Sequence, residues 1–289
     1  RNNQLLRQQK KEVAYHRVAL TIMSVLDHIL NDPVILPAGA ALLATHIALC
    51  VIFKYVCKDG PWKELPSFTA HQVVALGVMT YTAYLGFATF ADGGMLHVNE
   101  GGLFLASFNM GSMMLWDIPV GLFSDGMGDP IMHVHHVGFF IVATISLGFY
   151  SGGVPLGSAY APFFFGVIEL SSIPLAIVDV FHPKQKAWHE YLSTSKTLET
   201  INEVSRVAFA LLYMCTRMIY FPYVVATGVV PDCRASISER PEFAAPLYAI
   251  LVLAVLFTLL QLYWGVLIIR QILKALSGGG DEETKKKKE

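Results

Sequence analysis

Seven apolar runs, each about as long as a bilayer is thick, decide what this chain can become. They cover 33–57, 69–91, 101–124, 130–150, 153–181, 199–227 and 243–275. A helix needs about 20 mostly apolar residues to cross the hydrocarbon core. The runs therefore predict an all-α, polytopic membrane protein with about seven transmembrane helices. Turn and break signals separate them: KDGPW, ADGG, SDGMGDP, SGGVP, FHPKQK, VVPDC and RPEF. The joint between the fourth and fifth runs is only a few residues long, which predicts two antiparallel neighbours. Composition agrees: 15% of residues are charged, against about a quarter in soluble domains. A formal net charge of −1 supplies no field that draws nucleic acid.

The segments outside the runs have their own character. In 1–32, Arg17 and Asp27 interrupt what a signal peptide would need as its apolar core. Val18, Ile22, Val25 and Ile29 recur at helical spacing, so an amphipathic interfacial helix is expected there. The chain opens on Arg1 rather than Met, as a processed or trimmed product does. Residues 276–289 combine SGGG with a run of charge, which predicts a disordered tail. Cys50, Cys57, Cys215 and Cys233 form no CxxC pair, and no disulfide framework is visible.

Lysines in the loops give the orientation. Lys58, Lys63, Lys184, Lys186, Lys196 and the basic tail share one side, while Arg234 and Arg240 lie on the other. Cytosolic loops carry the Lys/Arg excess, so the lysine side and the C-terminus are assigned to the cytosol. The basic N-terminus, with Arg1, Arg7, Lys10, Lys11 and Arg17, argues the other way, and the loops are given more weight. The last residues, Lys286 to Glu289, read KKKE. They resemble the dilysine retrieval signal of endoplasmic reticulum membrane proteins, which places the expected location there.

Ionisable groups inside spanning helices are costly, and each is a candidate for function. Those singled out are Asp117, His133, His135, His136, Glu169, Asp179, Arg206 and Arg217. Asp117 sits about six residues, roughly 9 Å, from the end of the third run. His135 and His136 lie equally far into the fourth, so a hairpin sets Asp117 and the histidine pair at one level. Successive helical residues turn by about 100°, so His133 and His136 share a face while His135 points away. That spacing does not gather three rings on one ion, and the only other close pair, His182 and His189, lies in a loop. No metal is expected. Thr200 and Glu203, T-x-x-E, read as a capping box at the start of the sixth helix.

The order of these motifs resembles the TLC-domain family over residues 69–275. The residues that carry the likeness are Asp117 in LWDIPVGL, His135 and His136 in HVHHVGFF, Glu169, Ser171 and Pro174 in ELSSIP, and Arg217 and Pro222 in TRMIYFPY. The resemblance implies six helices forming a barrel around a lipid-sized cavity, with one helix before it, in the endoplasmic reticulum or a related membrane. It also implies a relation to ceramide synthases, in which paired histidines belong to the catalytic centre and acyl-CoA is a substrate. Those enzymes carry two aspartates on the next helix, whereas here PFFFGVIELSSIP holds the single carboxylate Glu169. The chain is thus closer to members of the family that do not make ceramide.

Three functions follow as expectations. The first is binding or regulating membrane lipids through a polar-floored intramembrane cavity. The second is acyl transfer from acyl-CoA, with His135, His136 and Asp117 as the catalytic set and no resident cofactor. The third is an accessory subunit of a larger membrane complex, with membrane proteins as partners. Glu169, Ser171, Ser172, Arg217 and Arg206 are expected to contact lipid or line the intramembrane polar region. The competing structural reading is that these polar pairs only knit helices together where water is absent.

Overall fold

The computed structural model describes residues 23, 25–127 and 129–277. The expected N-terminal amphipathic helix lies mostly outside these residues, and the charged tail after Ser277 lies wholly outside them. The described residues contain helices and no strand. Seven long helices account for most of them: α1 Ile35–Val56, α2 Pro66–Thr89, α3 Glu100–Phe123, α4 Pro130–Ser146, α5 Ala161–Val180, α6 Lys196–Glu239 and α7 Pro241–Leu276. Five of these (α1, α3, α5, α6 and α7) are long and apolar enough to cross a membrane, and α4 is a shorter apolar helix. The remaining one, α2, has 24 residues but carries more Thr, His and Tyr.

Local chemistry sets the starts. Asp32 caps α1, its Oδ1 accepting from the backbone N–H groups of Val34 and Ile35 at 2.8 and 3.0 Å. Asn99 caps α3 by accepting from the Gly102 N–H at 2.9 Å, and its amide donates to the last carbonyl of α2, Thr89 O, at 3.0 Å. Asp129 caps α4 ahead of Pro130, a residue pre-set for the first helical position. Thr200 does not cap α6. The helix already begins at Lys196, and the Thr200 hydroxyl donates back to the Lys196 carbonyl at 2.9 Å, so the expected capping box is absent.

Prolines shape the interior. Pro119, Pro222 and Pro231 each stand two residues after a π-helical stretch, Met113–Asp117, Met214–Tyr220 and Val225–Val229. A proline withdraws one N–H and crowds the carbonyl four residues back. A wider turn moves that carbonyl aside and lets the helix continue. VVPDC is therefore no joint: α6 runs through it to Glu239, 44 residues in all. At 1.5 Å per residue it is about 66 Å long, roughly twice the hydrocarbon core. That length lets its charged first turns stand clear of lipid tails.

The helices close into a ring in the order α2, α3, α4, α7, α6, α5 and back to α2, with α1 packed outside against α2 and α3. The antiparallel-neighbour expectation for α4 and α5 fails. The fifth helix starts at Ala161, and the connector 147–160 holds four glycines with positive φ, Gly148, Gly152, Gly153 and Gly157. This left-handed backbone, open to glycine at no steric cost, carries the chain across the end of the ring. As a result α4 and α5 face each other over the interior, where Phe139 and Phe165 meet at 5.7 Å. Contacts between loops fix the two ends. Trp62 meets Trp188 and Ser67 meets Ser124 at the lysine-bearing end, while the Asn99 N–H donates to Ser158 at the other.

Without a hydrophobic drive between helices in lipid, close backbone approach matters. At Gly111 on α3 an added Cβ would fall 2.0 Å from the Ile35 carbonyl oxygen, and at Gly39 on α1 one would fall 2.3 Å from the Gly111 oxygen. Gly111→Val is expected to lower stability by about 3 kcal/mol through overpacking. Thermal unfolding of the purified protein in mild detergent, followed by tryptophan fluorescence, checks this.

Candidate functional site

Three helices of the ring meet on one carboxylate. Asp117 ends the π-helical stretch of α3 and is buried. Its Oδ1 accepts from His71 Nε2 of α2 at 3.0 Å, and its Oδ2 is in contact with His136 Nδ1 of α4. The His71 ring stacks on Trp116 with centroids 4.9 Å apart. A buried carboxylate is tolerable only when donors match it. Here two imidazoles from different helices do so.

The expected pair separates. His136 reaches Asp117, while His135, one residue and about 100° away, points into an aromatic pocket. Phe139, Phe257 and Trp264 lie 4.6, 5.3 and 5.5 Å from its ring. His135 is buried and its Nδ1 has no partner. His136 differs: its Nδ1 pairs with Asp117, and 23% of its side chain is exposed.

A second cluster joins α5 to α6. Arg217 Nε donates to Ser171 Oγ at 2.8 Å, and Nη2 donates to Ser172 Oγ at 2.8 Å and to Glu169 Oε1 at 3.3 Å. Both partner segments depart from regular α-helix, a 3-10 stretch at Val167–Ser171 and a π stretch at Met214–Tyr220. Glu169 and Arg217 are both within electrostatic reach of His136, so the two clusters form one polar layer. Arg206 does not join it; its side chain is exposed on the first turns of α6. His133 packs against Gly121 instead.

The layer has members that the sequence reading overlooked. Besides His71, Gln261 of α7 is fully buried, and its Oε1 accepts from the Tyr213 hydroxyl of α6 at 2.8 Å. On the lysine-bearing side, His46 of α1 is buried, with Nε2 3.2 Å from Ser67 Oγ. His71 carried a legible signal: it lies five residues into α2, at the same depth as Asp117 and His136 in their own helices. Gln261 sits in an unbroken apolar run, LLQLYW, and its isolation there is the signal.

Above the layer lies a cavity of about 550 Å³, counting its open mouth. Leu156, Phe164, Phe221, Ile250 and Phe257 are among its walls, and Ser146 and Tyr160 are the polar exceptions. Its floor is thus aromatic rather than polar. Phe139 and Phe257 stand between it and His135. At the far end the Tyr160 hydroxyl donates to Asp232.

Among the described residues no three His, Cys, Asp or Glu side chains gather in an arrangement that holds a metal ion. His182 and His189 serve their own loop: the Lys184 N–H donates to His182 Nδ1, and His189 Nδ1 pairs with the Phe181 carbonyl. Burial, and then the Lys184 charge, hold His182 below its ordinary pKa.

The chain matches the family model described as the TLC domain over residues 98–270. Neither the curated proteins nor the solved structures hold a match to it. The matched stretch contains Asp117, His135, His136, Glu169 and Arg217, and leaves His71 outside. As it spans more than half of the chain, this membrane-spanning helical protein belongs to the TLC-domain family.

Proposed function

We propose that this protein binds a membrane lipid by its acyl tail inside the helical ring. The observation that carries this is the apolar, aromatic-walled cavity within the ring, lined by Leu156, Phe164, Phe221, Ile250 and Phe257; ligand sites are typically concave and mostly apolar, with a few polar groups. Its apolar walls offer a hydrocarbon chain dispersion contacts, and buried polar groups lie beyond its aromatic floor. A diazirine-bearing fatty acid, photoactivated in membranes containing the protein, is expected to label peptides of α4, α5 and α7. Ala254→Trp, which fills the space from α7, is expected to cut labelling about tenfold. Labelling confined to lipid-facing residues sinks the reading.

A second reading, acyl transfer from acyl-CoA, is favoured by one specific arrangement. Asp117 pairs with Nδ1 of His136; with the ring neutral and its proton on Nδ1, Nε2 would take a proton from a hydroxyl or amine that attacks the thioester carbonyl and expels the CoA thiolate, or would itself attack that carbonyl and expel the thiolate, to pass the acyl group on to the hydroxyl or amine. Asp117 stabilises the imidazolium formed, as the carboxylate of a triad does. In this reading His136 is the reactive ring and His135 a wall. With labelled acyl-CoA and a panel of lysolipids and long-chain amines, His136→Ala is expected to abolish product, a loss of about 100-fold or more. His135→Phe is expected to retain at least a tenth of it. Absence of product from well-folded native protein removes the reading for that panel.

Residence in the endoplasmic reticulum is supported by KKKE at Lys286 to Glu289, outside the described residues, and by the lysines that the fold gathers at the end where α7 finishes. Replacing the three lysines by serine is expected to release a tagged protein to later compartments, visible by microscopy. An unchanged reticular pattern rejects the signal.

A further inference from the structure

A file of polar side chains runs along the seam where α1 packs on α2, and neither the cavity nor acyl transfer engages it. It starts at the lysine-bearing end. There half-buried Ser124, just past α3, meets Ser67 of α2, with the two hydroxyl oxygens 2.6 Å apart. His46 of α1 continues it, its Nε2 lying 3.2 Å from Ser67 Oγ. One turn deeper on α2 comes His71, whose Nε2 lies 3.0 Å from Asp117 Oδ1. Ser67 and His71 stand four residues apart on one face of α2, and His46 lies against both. Its ring meets that of His71 edge to face, with centroids 6.5 Å apart.

The file breaks at one place. His46 and His71 are 4% and 7% exposed, and Nδ1 of each has no partner in the protein. Turning a ring over does not repair this. His46 would then leave Ser67 and Cys50, whose Sγ lies 3.4 Å from its Nε2, and His71 would leave Asp117. A third unpartnered buried atom, Trp116 Nε1, belongs to the indole stacked on His71. Each such atom costs about 1–3 kcal/mol, so three on contiguous rings mark a place for water. A water bonded to both imidazole nitrogens holds them at most about 6 Å apart, a span compatible with the 6.5 Å between ring centres.

We propose that a buried water held by His46 and His71 completes a path that carries protons between the lysine-bearing end and the Asp117–His136 pair. The path lies on the opposite side of the polar layer from the apolar cavity and is independent of what that cavity binds. Its members suit the task, since a hydroxyl, a water and a neutral imidazole each donate on one side while accepting on the other. A proton entering at Ser124 displaces, link by link, those held by Ser67, His46, the water and His71. One proton thus leaves the solvent and one reaches Asp117, and no other bond changes. Passage in the reverse direction returns each ring to its first tautomer. The end point is faced by His71 from α2 and His136 from α4, with Glu169 of α5 and Arg217 of α6 within electrostatic reach of His136. His46 is faced by Cys50 of its own helix and by Ser67 and His71 of α2.

The test uses the full chain in mild detergent, carrying isotope-labelled histidine. NMR follows the exchange with solvent of the His71 Nε2 proton, identified by its loss in His71→Gln. His46→Phe and Ser67→Ala are each expected to slow this exchange about tenfold or more, the effect of one hydrogen-bonded link lost. The backbone amides of α2 are expected to exchange as before. A signal broadened away in wild type that sharpens in the variants is the same result. A water cross-peak at the His71 Cε1 proton, present in wild type and lost in His46→Phe, is expected as well. If His46→Phe does not fold, Ser67→Ala, which removes a single hydroxyl, carries the test. The same exchange in wild type and both variants, exchange slowed only by His136→Phe, or no water cross-peak in wild type overturns the proposal.

Discussion

A carboxylate in lipid must find donors or fail to ionise, and this one requirement organises the middle of the molecule. Asp117 meets it with His71 from α2 and His136 from α4, so one side chain ties three consecutive helices. Removing either ring leaves a charge buried among apolar atoms, at a cost of several kcal/mol. Arg217 repeats the logic between α5 and α6, with Glu169 and two serines. The ring is thus pinned at two points of nearly one level, and the helices between these points have little freedom to slide. The polar layer is a registration device as well as a candidate site.

The same requirement explains how much was legible. Lengths and breaks revealed seven helices because hydrophobic thickness is a one-dimensional quantity. The polar layer was half visible. Asp117 with His136, and Glu169, Ser171 and Ser172 with Arg217, follow from depth along each helix. Which side a residue faces does not follow from depth, and His135 was grouped with His136 although adjacent helical positions diverge. His71 and Gln261 were passed over because a neutral-capable ring and an amide look inexpensive beside an aspartate. In the interior both are as consequential.

The misjudged joints share a cause. Glycine and proline punctuate soluble chains reliably, but a helix in lipid has strong reason to continue, since a broken one strands its backbone groups. Pro231 is absorbed by a π turn, and α6 runs on. The glycines before Ala161 act the opposite way, holding a compact non-helical strap at the ring's end where loops are near water. Identical residue types thus read differently by depth.

One dimension of the ring has a consequence for the surrounding bilayer. The shortest wall, α4, has 17 residues and spans about 25 Å, less than a typical hydrocarbon core, while its neighbour α7 has 36. Lipids along the α4 side must compress or tilt to cover it, at a cost of a fraction of a kcal/mol per ångström. A bilayer around the protein is therefore expected to form a thinned collar along α4. Chains reaching that collar are already bent from their leaflet's normal, and less work remains to draw one inward.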